Sequence, residues 1–210
     1  MSGTVHELTT PVTEEDILKI RAGDVVYITG TILTARDEAH DRIIRYDREG
    51  KELPFDLDGA VIYHCGPVMQ ETEEASGKNT DASGKSATGK TGWKAVAAGP
   101  TTSDRMTKMT PEVLKNHRIR VLIGKGGMQG IAPVLREKCI YLSYTGGCAA
   151  LAVSMIGKVD GVFWEDLGMP EAVWVLKAEK FGPLIAGVDA YGKDLFEEVR
   201  ESAEEAFLKI

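Results

Sequence analysis

Short apolar runs rich in β-branched residues recur along this chain, each closing on glycine or other small residues before a helical segment begins. That alternation restricts the fold more than any other feature, because strands interleaved with helices can bury both faces of a sheet only in a layered α/β arrangement. Residues 24–33, with Val25, Val26, Tyr27 and Ile28, read as a strand, and so do 59–64, 93–98, 118–123 and 140–144. The helices between them are expected at 13–20, from about Thr34 to Arg48 with a stop at Gly50, from Thr110-Pro111-Glu112 onward, at 128–138 and at 148–156. Pro133 inside the helix at 128–138 should kink it or mark its true start. A short edge strand is expected at 6–9, and three further strands at 159–164, 172–178 and 183–188. The chain should close on an amphipathic helix, 193–208, whose apolar face is Leu195, Phe196, Val199, Ala203, Ala206 and Phe207.

Residues 71–92 break the pattern. They are dominated by Glu, Ser, Gly, Lys, Thr and Asp, without apolar periodicity, and read as a mobile insertion. The Ser-Gly-Lys triplets at 76–78 and 83–85 lack both a preceding strand and the full spacing of a phosphate-binding loop. No other segment reads as a linker, so residues 1–210 are expected to form a single domain.

Composition narrows the function. A formal charge of −7 over 210 residues argues against nucleic-acid binding, whose affinity comes mainly from neutralised phosphates. The three cysteines, Cys65, Cys139 and Cys148, are scattered, which suits reduced thiols and offers no metal-binding spacing. Neither a signal-peptide pattern at 1–10 nor an apolar run near the ~18 residues of a membrane span is present, so a cytoplasmic location without membrane contact is expected.

Three cations stand where strands end in small-residue turns: Arg36, Arg105 and Lys125. In open α/β sheets ligands collect beyond the carboxyl ends of strands, so the three can converge although sequence separates them. Two arginines and a lysine suit a small dicarboxylate, and a phosphorylated metabolite fits almost as well. Arg36 at a helix start opposes the helix dipole, a conflict that Asp37 and Glu38, a bound anion or plain solvation would resolve; it shares a helix face with His40, while Asp37 is expected to point elsewhere. Thr101, Thr102 and Ser103 read first as capping and turn residues. As a base, any of these hydroxyls would need strong activation by neighbouring cations.

The combination Thr34-Ala35-Arg36-Asp37-x-x-His40, Gly99-Pro100-Thr101-Thr102-x-x-Arg105-Met106 and Gly124-Lys125-Gly126-Gly127 resembles the β subunit, or C-terminal domain, of class I fumarate hydratase and the related L(+)-tartrate dehydratase. The resemblance covers nearly the whole chain outside the insertion. It implies a swivelling β/β/α domain and a hydro-lyase, with fumarate hydration favoured over tartrate dehydration. It further implies a hetero-oligomer, in which a partner α subunit carries a 4Fe-4S cluster and this chain holds no metal. On the resemblance, Arg36, Thr102, Arg105 and Lys125 bind substrate and Thr101 and Lys125 are catalytic, while Asp37 and His40 match motif positions and are expected, as our own reading, to support the site by orienting Arg36. The competing expectation is a non-catalytic module that binds an anionic metabolite with the same three cations.

Overall fold

The structure of the chain, a computed structural model, describes residues 3–72 and 92–209. It is a mixed α/β fold dominated by its sheet, with six α-helices among the described residues. The chain opens with β1 (Val5–Thr9), α1 (Glu14–Leu18), β2 (Val25–Thr34) and α2 (Asp37–Glu49). Thr13 caps α1 through a reciprocal box with Asp16, and α2 stops at Gly50 in the left-handed region, φ 63°. Then come β3 (Val61–Tyr63), β4 (Val68–Glu71), β5 (Trp93–Ala97), a 3-10 turn (Ser103–Met106), α3 (Thr110–Asn116) and β6 (Val121–Gly124). The last third holds α4 (Ala132–Leu135), β7 (Ile140–Ser143), α5 (Ala149–Ser154), β8 (Ile156–Phe163), β9 (Val173–Val188) and α6 (Leu195–Phe207).

Strand order in the large sheet is β1-β2-β3-β6-β7-β9-β8, with β9 also paired to β2. The pairings β2–β3–β6–β7–β9–β2 therefore close a ring. Length makes this possible: β9 runs 16 residues, its first half between β2 and β8 and its second half between β2 and β7. Alternate residues of the short parallel strands face opposite sides. Val61, Tyr63, Val121, Ile123, Ile140 and Leu142 join Val26, Ile28, Phe181 and Leu184 in one buried cluster. Ile62, Leu122 and Tyr141 face the other way, onto Ala39 and Ile43 of α2, Val113 and Leu114 of α3 and Leu135 of α4. Burial on both faces explains why these strands read as unbroken apolar runs, each large side chain contributing roughly 1.5–3 kcal/mol.

Parallel pairing also aligns the carboxyl ends of β2, β3, β6 and β7. The first residues beyond them continue the ladder, Ala35 N–H donating to Tyr63 O at 3.1 Å, His64 N–H to Ile123 O at 2.8 Å and Tyr144 N–H to Gly124 O at 2.7 Å. Arg36 and Lys125, expected to converge from separate strand ends, thus leave the sheet along one edge.

Several boundaries differ from expectation, each for a physical reason. The strands expected at 172–178 and 183–188 are one strand, β9, because β2 keeps it paired through Phe181 and Leu184, between the stretch paired to β8 and the stretch paired to β7. Helix 128–138 contracts to α4, where Pro133 lies in the first turn and marks the true start, the second of the two outcomes expected for it. The run at 118–123 enters the sheet only at Val121. Glu71 belongs to β4, which pairs with β5 as a two-stranded ribbon, so the expected insertion begins no earlier than Thr72. Its mobility, expected for 71–92, lies otherwise outside the described residues. Ile156 begins β8 instead of ending a helix. The amphipathic face expected on the last helix finds cover only at its start: Phe196 packs on Tyr141, while Val199 and Phe207 are 69% and 76% exposed.

Candidate active site

Helix α2 begins with an anomaly. Its N-cap residue is Arg36, which makes no capping hydrogen bond with its side chain, although Ser, Thr, Asp or Asn would satisfy the free N–H groups there. The cap is supplied from far along the chain: Glu171 accepts the Glu38 N–H on Oε2 at 3.1 Å and pairs through Oε1 with Arg36 Nε at 2.7 Å. On the other side of the Arg36 carbonyl lies buried His40, whose Nδ1 is 2.9 Å from Arg36 O and donates to it. Burial holds the His40 pKa below its ordinary value, so the ring stays neutral.

Asp37 does not point elsewhere, contrary to expectation. Its carboxylate receives Arg105 side-on, Nε to Oδ1 at 2.9 Å and Nη2 to Oδ2, and lies 3.4 Å from Arg36 Nε. Asp37 therefore fixes Arg105 first and Arg36 only at longer range. Arg105 Nη1 in turn points at Thr101 Oγ1, 3.4 Å away. A continuous polar chain, Glu171–Arg36–Asp37–Arg105–Thr101, thus joins three segments remote in sequence.

The second turn is stitched to the first by backbone. Thr102 and Lys125 form a parallel bridge, Lys125 N–H donating to Thr101 O and Ser103 N–H to Lys125 O, both at 3.0 Å. The Lys125 side chain is exposed and makes no ion pair with a described residue. None of the three hydroxyls caps the following 3-10 turn with its side chain. Thr101 instead faces Arg105, Thr102 is exposed, and Ser103 is buried beneath the turn.

Ser103 belongs to an uncharged chain that sequence reasoning missed. Tyr141 has one hydroxyl proton and lies 2.6 Å from Gly126 O and 3.1 Å from Ser103 Oγ. The carbonyl can only accept, so Tyr141 donates to it, Ser103 donates to Tyr141, and His64 Nδ1, 2.8 Å from Ser103, donates to Ser103. His64 Nε2 is left buried without a partner among the described residues, its ring edge-on to His40 at 5.4 Å. Burial and the nearby His40 hold its pKa well below the ordinary value. Gly124 makes room for this contact, since a Cβ there would overlap Ser103 Oγ and approach His64 Nδ1. His64, directly after a strand, carried a positional signal; Tyr141, inside an apolar run, and Glu171, in a loop, carried none.

All seven expected site residues are therefore brought together: Arg36, Asp37, Arg105 and Thr101 through side chains, His40 under Arg36, Thr102 and Lys125 through backbone. The chain's own residues do not fit an iron–sulfur cluster. Cluster ligands are thiolates, whereas Cys65, Cys139 and Cys148 are all buried, and burial pushes the Cys65 thiol up to about 12 and the Cys139 thiol higher still. No group of three metal-ligating side chains occurs among the described residues.

A family model described as fumarase C-terminus matches residues 3–199. The chain belongs to the fumarase C-terminus family. Among similar proteins, this family member is 40% identical over 196 residues to a Methanocaldococcus jannaschii protein provisionally named L(+)-tartrate dehydratase subunit beta, covering 92% of each chain. It is 38% identical over 196 residues to the L(+)-tartrate dehydratase subunit beta of Escherichia coli K12, covering 91% of this chain and 86% of that one. A Geobacillus stearothermophilus protein provisionally named class I fumarate hydratase is 36% identical over 201 residues, which span 95% of this chain but 35% of that longer one. Among the described residues no helix is long and apolar enough to cross a membrane.

Proposed function

We propose that this fumarase C-terminus chain is the β subunit of a hydro-lyase acting on a small dicarboxylate, active only with an α subunit that carries a 4Fe-4S cluster. The observation that carries this reading is the junction of two arginines through one carboxylate, Asp37, with Arg105 turned toward Thr101, beside the exposed Lys125. Residues 1–210 act as one domain of the swivelling β/β/α type, in the cytoplasm. The names of relatives that match end to end favour L(+)-tartrate, whereas the longer relative keeps the fumarate–malate pair in play. Both pairs present two carboxylates and a removable proton beside one of them, and both are to be assayed.

In this chain's half of the site Arg36 and Lys125 receive the substrate carboxylates, with Thr102 at the rim. Arg105 spends Nε and Nη2 on Asp37 and turns Nη1 toward Thr101 Oγ1. A guanidinium there stabilises a deprotonated hydroxyl oxygen, which suits Thr101 to take the proton next to a carboxylate. The positive charge of Lys125 and the N–H donors of Arg36 then oppose the negative charge that grows on that carboxylate. Asp37 and His40 hold the arginines rather than touch substrate.

Thr101→Ala tests the reading against a module that only binds anions. In the complex with the α subunit, kcat should fall by about 10²–10⁴ with KM within a few fold. Unchanged turnover would remove Thr101 from the chemistry.

A further inference from the structure

Glu171 stands outside the motifs that define the site, yet it makes the closest ion pair to Arg36. It closes the segment between β8 and β9, and that segment is held at several points. Asp166 receives both terminal nitrogens of Arg42 at 2.7 and 2.6 Å. Trp164 packs edge-on against Tyr46 of α2 and against Phe55. Met169 O accepts the Trp174 Nε1–H at 2.8 Å. Thr34 Oγ1 donates to Ala172 O at 3.2 Å and accepts the Trp174 N–H at 2.9 Å, which pins the segment's end to the end of β2. Gly66 leaves room for Arg36 Nη1, since a Cβ at that position would overlap Nη1 and crowd Pro170 O.

We propose that Glu171 is the positioning residue that sets Arg36 to receive a substrate carboxylate. One oxygen holds Arg36 Nε, the other holds the Glu38 N–H at the start of α2, and the side chain is only 16% exposed, so one carboxylate fixes both the guanidinium and the helix that carries it. Arg36 Nε is engaged by both carboxylates, Glu171 Oε1 at 2.7 Å and Asp37 Oδ2 at 3.4 Å, and the terminal nitrogens, which have no carboxylate or hydrogen-bond partner of their own among the described residues, remain for substrate. The pairing also offsets the charge: with Asp37 and Glu171 beside Arg36 and Arg105, the cluster's two arginines are matched by two carboxylates before a ligand arrives. Arg36 is thus selected for direction and donor geometry, and Lys125 supplies the uncompensated charge. Glu171 does not touch substrate and acts only through Arg36.

The inference rests on the hydro-lyase reading, and one set of measurements separates the two. The complex with the α subunit is assayed with L(+)-tartrate and with fumarate and malate, as parent, Glu171→Gln, Glu171→Ala, Arg36→Ala and the Arg36→Ala/Glu171→Gln double variant, with melting temperatures alongside. Glu171→Gln, which keeps the shape and loses a charge-assisted bond, should raise KM on the order of tenfold with kcat within about threefold, and Glu171→Ala at least as much. On Arg36→Ala, Glu171→Gln should lower kcat/KM no further, because its path to the substrate is gone. An unchanged KM in a Glu171→Gln complex that melts with the parent overturns the inference, as does an equal loss with and without Arg36. A parent complex that transforms none of the three substrates overturns the hydro-lyase reading and the inference with it.

Discussion

Arg36 shows what an arginine at a helix N-cap costs at its own scale. As an N-cap it leaves the first N–H groups of α2 without a side-chain acceptor, and the fold answers with Glu171 from 133 residues away. His64 is a second departure from economy, a buried imidazole with one nitrogen unpartnered among the described residues. Its stability consequence has a definite sign. His40 and His64 are both held below their ordinary value of 6.5 in the folded chain, so below that pH the unfolded chain binds more protons. Their stability contribution is present above about pH 6.5 and is lost as pH falls. Urea midpoints at pH 7.5, 6.5 and 5.5 should therefore decrease, and His64→Gln, which keeps a donor for Ser103 and cannot titrate, should flatten the decrease. Arg36, Arg105 and Lys125 were legible in sequence because each cation follows a strand and a small-residue turn. Glu171 was not, since nothing local distinguishes a loop carboxylate whose partner lies on another element, and Asp37 was misdirected because helix periodicity does not describe a residue beside the cap.

At the scale of elements, the parallel strands were readable because burial on both faces leaves an apolar run in the sequence, as in Val121 to Ile123. The ring closure was not readable. It depends on β9 continuing through Gly182-Pro183, a pair that reads as a break but lies between Phe181 and Leu184, both held by β2. The carboxyl end of β6 carries the tightest packing of the site, where Gly124 lies against Ser103 and His64. Gly124→Ala should destabilise the chain by about 1–3 kcal/mol through overpacking, measured by urea unfolding. It should also disturb the Thr102–Lys125 bridge next to it, with a loss of turnover larger than the stability change alone explains. α6 was legible as amphipathic, but amphipathicity does not say what covers a face, and Val199 and Phe207 remain exposed.

On the proposed function, the whole molecule presents one wall of a site. Its cations and its candidate base gather on one edge of a closed sheet, its thiols are buried, and the cluster implied by the family has no ligand set among its described residues. The proposed function divides the labour accordingly: this chain would grip carboxylates and move a proton, and the partner would complete the reaction centre. The most direct test is an anaerobic assay of L(+)-tartrate dehydration and fumarate hydration by this chain alone, by the cluster-bearing α subunit alone and by the two mixed. Turnover of one of these substrates by the mixture, with neither subunit active by itself, is the expected result. Comparable turnover by this chain alone, or none by a mixture whose cluster is intact, would contradict it.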